Sequence, residues 1–258
     1  MPATTTRRRR GRTVLTKGET AHPQGGRDVS AVAVESPTVS HTGAPERPQR
    51  LLPIAGILFG ILLALALWLT SKEPSDTASA KQVFAYWSDH GGGKMWLSIL
   101  GLELAAVLLI TFGAALRGAI RSGEGALATY SSLVFGGAIL AAMGFATTSI
   151  LPAAAGRAAA DKAAEPGAQT AVFAIEQLRS WDWLMWTPGL TVMMVAAGLG
   201  GLRTRALPKP LSWAAVVLGV AFFTPLGFLA FFILPPWMIV TGIVLYRRQR
   251  AFALGVSV

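Results

Sequence analysis

The chain has 258 residues, 52% hydrophobic and only 14% charged, with a mean hydropathy of +0.50, a balance too apolar for an ordinary soluble domain. Its formal net charge is +10, but the lysines and arginines gather in the N-terminal tail and in short loops between apolar runs, which is the pattern of membrane topology rather than of specific nucleic-acid recognition. No cysteine is present, which excludes disulfides, thiolate metal sites, thiol nucleophiles and a lipidated cysteine.

Residues 1–50 set Arg7, Arg8, Arg9, Arg10 and Arg12 among Thr, Ser, Gly and Pro, with no apolar periodicity, and are expected to form a disordered basic cytoplasmic tail. Contact of these arginines with anionic lipid is one role for the run, each being worth on the order of 1 kcal/mol near such a surface. A solvated charge run that only enforces orientation is the plainer one. Residues 51–70 form the first expected span, almost all Leu, Ile and Ala, with Trp68 near its far end as an interfacial anchor. Ala78-Ser79-Ala80 resembles a signal-peptidase site, but the polar stretch before the apolar run and the gap after it are both too long for a signal peptide.

The outer segment 71–94 balances Lys72, Lys81 and Lys94 against Glu73, Asp76 and Asp89. Within it, residues 81–90 hold Val83, Phe84, Tyr86 and Trp87 and are expected to lie at the interface, and Gly91-Gly92-Gly93 forms a hinge rather than a phosphate loop. The second span, 95–116, contains Glu103, the one ionisable side chain inside any expected span. Arg117, Arg121 and Glu124 follow in a short loop, basic on balance and so cytoplasmic. The third span, 126–151, carries small and hydroxyl residues suited to close helix packing, and Pro152 is expected to end it. The outer segment 152–183 is alanine-rich, broken at Pro166-Gly167, and repeats Val172, Ile175, Leu178 and Trp181 on one helical face. The fourth span, 184–202, follows a belt of Trp181, Trp183 and Trp186 and ends at Arg203, Arg205 and Lys209.

Residues 211–246 run without a charge between Lys209 and Arg247. As one helix they would be far longer than the roughly 30 Å hydrocarbon core, at about 1.5 Å per residue. Basic residues at both ends demand two crossings, so spans at 211–224 and 228–246 are expected, turning at Thr224-Pro225-Leu226-Gly227. Pro235 and Pro236 then fall inside the last helix, where they cannot donate to the carbonyls of Phe231 and Phe232. Residues 249–258 form a C-terminal cytoplasmic tail.

The runs Gly-Gly-Leu-Arg at 200–203, Ala-Leu-Pro-Lys-Pro-Leu-Ser-Trp at 206–213, Pro-Leu-Gly-Phe-Leu-Ala-Phe at 225–231 and Leu-Tyr-Arg-Arg at 245–248 resemble those of a group of uncharacterised bacterial six-span integral membrane proteins. The resemblance covers residues 51–248. It implies a helical bundle with six spans and brings no activity, substrate or catalytic residue.

The expected architecture is therefore all-α: a polytopic transmembrane bundle of six spans in a bacterial inner membrane, both termini cytoplasmic, whose outer segments pack together as a small cap. A carboxylate inside a span costs several kcal/mol, so Glu103 is the leading candidate for an intramembrane proton or polar site, with hydroxyls of Thr147, Thr148, Ser149 and Thr187 as candidate partners. The helix break at Phe231, Phe232, Pro235 and Pro236 is a second polar feature. Asp89-His90 lacks the further ligands that a metal needs, no nucleophile elbow exists in an all-helical pattern, and neither a catalytic residue nor a cofactor is expected. Two functions remain: a structural or partner-binding membrane protein whose protein partner the sequence does not identify, and a small proton- or cation-coupled transporter or sensor centred on Glu103.

Overall fold

Long apolar runs in which Ala and Leu dominate favour helix, and helix is the state that satisfies every backbone polar group away from water. The computed structural model describes residues 51–70, 74–75, 77–90, 92–126, 128–161 and 165–253. The tail 1–50 with its arginines, Gly91, the side chain of His90 and the last residues of the C-terminal tail lie outside the described residues. Among the described residues all regular structure is helical: α1 (Ile54–Thr70), α2 (Ala80–His90), α3 (Gly93–Arg121), α4 (Thr129–Thr148), α5 (Ile150–Asp161), α6 (Ala168–Arg179), α7 (Trp183–Thr204), α8 (Lys209–Ala221) and α9 (Gly227–Ala253).

Four helical stretches, Met95–Arg121, Thr129–Ala160, Ala168–Thr204 and Gly227–Ala251, are long and apolar enough to cross a membrane, the signature of a membrane protein. Ile54–Trp68 and Lys209–Ala221 are shorter apolar helices. Helices α1, α3, α4, α7, α8 and α9 pack each on the next in that order, and α9 returns to α1, which closes a ring. Aromatic side chains fill it. Phe59 of α1 meets Phe145 of α4 edge-on with centroids 6.0 Å apart, Phe145 stacks on Trp186 of α7 at 5.5 Å, and Trp186 stacks on Phe231 of α9 at 4.7 Å. Phe112 and Trp237 join α3 to α9 in the same way at 6.4 Å.

The tightest seam is that between α4 and α7. A Cβ on Gly144 would lie 2.5 Å from the Met185 carbonyl oxygen, one on Gly137 2.5 Å from the Met193 nitrogen, and one on Gly189 2.2 Å from the Ala141 nitrogen. These are backbone atoms, which no rotamer change can move, so glycine on both helices sets the distance between them.

One boundary and one helical face differ from expectation. Pro152 does not end a helix; it sits buried in the first turn of α5, where a missing N–H costs nothing. The break falls at Ser149, a single residue between α4 and α5. Helix α5 then runs on into a three-helix cap, in which Val83 and Trp87 of α2, Ala155 and Ala159 of α5 and Val172 of α6 form a separate apolar core. Trp87 Nε1 donates to Glu176 Oε2 at 3.0 Å, and Arg179 pairs with Glu176 at 2.7 Å, which fastens α2 to α6. The helical face expected at Val172, Ile175, Leu178 and Trp181 divides: Val172 is buried in the cap, whereas Leu178 and Trp181 are exposed.

Two glycines of α4 separate packing from composition. Gly144→Leu should cost about 3 kcal/mol or more, read as a lower Tm and loss of the monodisperse species in detergent. Gly136→Leu, on the same helix with nothing within 4 Å of the added Cβ, should stay within about 0.5 kcal/mol of the parent. Equal losses from the two would contradict the seam.

Candidate functional site

Glu103 projects from the outer face of α3 among Leu100, Leu104 and Val107, and like them it is exposed. Its partner is Ser149 at the α4–α5 break, whose Oγ lies 2.7 Å from Glu103 Oε1 and 2.7 Å from the Ala146 carbonyl oxygen. One hydroxyl carries one proton and serves one acceptor at a time. The Ser149 hydroxyl therefore donates either to Glu103 Oε1 or to the Ala146 carbonyl, which places the carboxyl at the α4–α5 break.

The other expected partners do not join this pair. Thr147 Oγ1 donates to the Met143 carbonyl, Thr148 Oγ1 to that of Gly144, and Thr187 Oγ1 to that of Trp183. Each hydroxyl is spent one turn back on its own helix, an arrangement that Ser and Thr adopt readily within apolar helices. Thr187 instead lines a cavity of about 300 Å³ with Trp183, Trp186, Phe222, Thr224, Pro225, Gly227, Phe228 and Phe231. Glu103 is not among these residues, so the carboxylate and the α9 helix break open on different places. Pro235 and Pro236 lie inside α9 as expected from the sequence, which leaves the carbonyls of Phe231 and Phe232 without amide donors one turn back. Helix α1 comes close at this point, where a Cβ on Gly60 would lie 2.7 Å from the Pro235 carbonyl oxygen.

Among the described residues Thr191, Ser212 and Thr241 have buried hydroxyls without a hydrogen-bond partner. Ser212 lies against Gly201 of α7, ten residues from Thr191, which puts the two hydroxyls about 15 Å apart along the helix. No three His, Asp or Glu side chains converge in a way that would hold a metal among the described residues.

Charged groups at the other end of the ring do structural work that sequence reasoning missed. Helix α4 starts after Ala128, which has a left-handed backbone (φ 46°) and no capping side chain. Glu124 supplies the cap from the preceding loop: its Oε1 accepts the Tyr130 N–H at 2.7 Å and its Oε2 the Ser131 N–H at 3.1 Å. Burial pushes this carboxyl up, but the Ser131 hydroxyl and amide, the Tyr130 amide and the Arg121 charge outweigh it and hold Glu124 below the usual carboxylate range. Arg248 of α9 closes the end of α7, where Nη1 donates to the Arg205 and Ala206 carbonyls at 2.9 and 2.6 Å, a cation at a helix C-terminus. The signal for Glu124 was in the sequence as an acid a few residues before a helix start. Its distance from Thr129 concealed it, because a cap is usually sought on the residue next to the helix.

Because the folded Glu124 carboxyl titrates below its unfolded value, its contribution is present above the unfolded value of about 4.3 and is lost as pH falls through the folded one. Glu124→Gln should therefore lower Tm at neutral pH and shrink the difference from the parent below about pH 4. A Tm difference that persists unchanged in acid would contradict the cap. In comparisons with known proteins, no family model matches this chain, and no curated protein and no solved structure matches it.

Proposed function

We propose that the chain is a six-span integral membrane protein of a bacterial inner membrane, with both termini in the cytoplasm, that acts by binding a partner or by supporting membrane structure rather than by catalysis. The observation that carries this reading is the filled interior: Phe59, Phe112, Phe145, Trp186, Phe231 and Trp237 interlock across the ring. A transporter needs a path along which polar groups are met in succession, and packed rings leave no room for one.

Charge supports the orientation. Arg117, Arg121, Arg203, Arg205, Lys209, Arg247, Arg248 and Arg250 all lie at the end of the ring where α3, α7 and α9 finish and α8 begins, as the positive-inside rule requires of a cytoplasmic face. Measured from Arg121, Glu103 is 18 residues up α3, about 27 Å along a helix. It thus falls near the outer limit of a hydrocarbon core of roughly 30 Å, at the base of the cap, where a carboxyl is much less costly than at the centre. The resemblance to six-span bacterial proteins agrees in span number.

A second reading, a proton- or cation-coupled transporter or sensor centred on Glu103, draws on one contact. The Ser149 bond ties that carboxyl to the break where α4 gives way to the cap, so a change in its protonation would be felt by the outer helices.

Two measurements test these readings. A green fluorescent protein fused at the C-terminus should fluoresce, and alkaline phosphatase fused there should be inactive but active when inserted at Glu165; the opposite pattern would refute the orientation. Proteoliposomes loaded with pyranine should show the same proton leak for the parent and for Glu103→Gln. A leak that depends on Glu103 would move the transport reading ahead.

A further inference from the structure

Helices α7 and α8 run antiparallel in close contact, Gly201 against Ser212, Gly198 against Val216 and Gly219 against Val195. Helix α7 has 22 residues and α8 only 13, about 33 and 20 Å of helix. Continued at the same pairing, residues 222–226 come level with the stretch around Thr187 to Thr191, short of the start of α7. The turn between α8 and α9 therefore reverses before it reaches Trp183, and the two tryptophans of the first turn of α7 overhang it. The space beneath them is the cavity of about 300 Å³.

The turn itself spends its backbone donors. The amides of Phe222, Phe223 and Thr224 donate to the carbonyls of Leu218, Val220 and Ala221, and that of Gly227 to Thr224. Leu226 N–H donates to Thr224 Oγ1, which itself donates to the Ala221 carbonyl. Residue 225 is a proline and has no N–H to satisfy. The turn from Phe222 to Gly227 spends its donors, whereas the amides of Phe228 and Leu229 in the first turn of α9 are left to water or headgroups, which suits the edge of the hydrocarbon rather than its depth. Its surface is apolar to match: Phe223 and Phe228 are 70% and 71% exposed, and Leu226 and Leu229 are exposed beside them.

The cavity continues that surface inward. Its walls are the rings of Trp183, Trp186, Phe222, Phe228 and Phe231, and its hydroxyls are used up, Thr187 by the Trp183 carbonyl and Thr224 by the turn. Water held there would lack the two to four polar partners it needs, and no charged side chain is present among the lining residues to receive a headgroup or an ion. An apolar cavity with no charged group in its lining takes the hydrocarbon part of an amphiphile, whose headgroup stays outside.

We propose that the cavity between the first turn of α7 and the α8–α9 turn is a binding site for a single long acyl chain. The site goes beyond the partner-binding reading and does not depend on it, since acyl-chain binding to purified protein is indifferent to orientation and to transport.

The test is a titration of delipidated protein in amphipol with cis-parinaric acid, a fluorescent long-chain fatty acid. Saturable binding of one molecule per chain is expected, with energy transfer from tryptophan and displacement by palmitate. Phe228→Ala removes one wall from an exposed position, so the fold is not threatened, and it should weaken binding by roughly ten-fold. Phe223→Ala, equally exposed on the same turn but not a wall of the cavity, should leave the affinity unchanged. Non-saturable uptake, failure of palmitate to compete, or equal loss in the two variants would overturn the proposal and reduce the turn to ordinary lipid contact.

Discussion

The bundle depends on how closely α4 and α7 approach. With Gly137 and Gly144 on one helix and Gly189 on the other, backbone touches backbone, and dispersion over that contact replaces the hydrophobic drive that is missing between helices in lipid. The seam aligns Phe145 with Trp186 in a parallel stack, 4° between ring planes. From that pair the aromatic chain reaches α1 on one side and α9 on the other. Glycine at the seam and large rings beyond it are one design: helices that meet closely at one edge must be propped apart across the ring.

The same logic accounts for where the polar groups went. A chain that fills its centre with rings has no interior place for a carboxylate, and Glu103 lies on the outer face of α3, tied to Ser149 where α4 breaks. Glu124 and Arg248 satisfy a helix start and a helix end, so charges that look from the sequence like mere markers of orientation also terminate helices. The cap is held by a part-buried Trp87–Glu176–Arg179 arrangement, in which the indole N–H and the guanidinium share one carboxylate.

Much of this was legible in the sequence, for identifiable reasons. Apolar run lengths and loop charges are read along the chain, and they put the α8–α9 reversal at residues 224–227, overlapping the observed turn of residues 222–226, and both prolines inside α9, where they lie. Side-chain pairing across helices depends on rotation about each axis, which a nearly all-apolar helix does not announce. Hence Thr147, Thr148 and Thr187 looked equivalent to Ser149 as partners of Glu103, although each of the three bonds to its own helix. Pro152 misled because a proline stops a helix only where an N–H is needed, and a break three residues earlier had already made its position a first turn. The cavity was hidden for a different reason: it arises from a mismatch in length between α7 and α8, a property of two elements together and of neither alone.

A ring closed by packed side chains should leave no aqueous path through it. The native chain has no cysteine, so single cysteines at Leu109, Met193 and Met238, all fully buried on α3, α7 and α9, report without background. With a water-soluble methanethiosulfonate applied from either side of the membrane, none of the three should react until the protein is unfolded. Rapid modification of any of them in the folded protein would contradict the account.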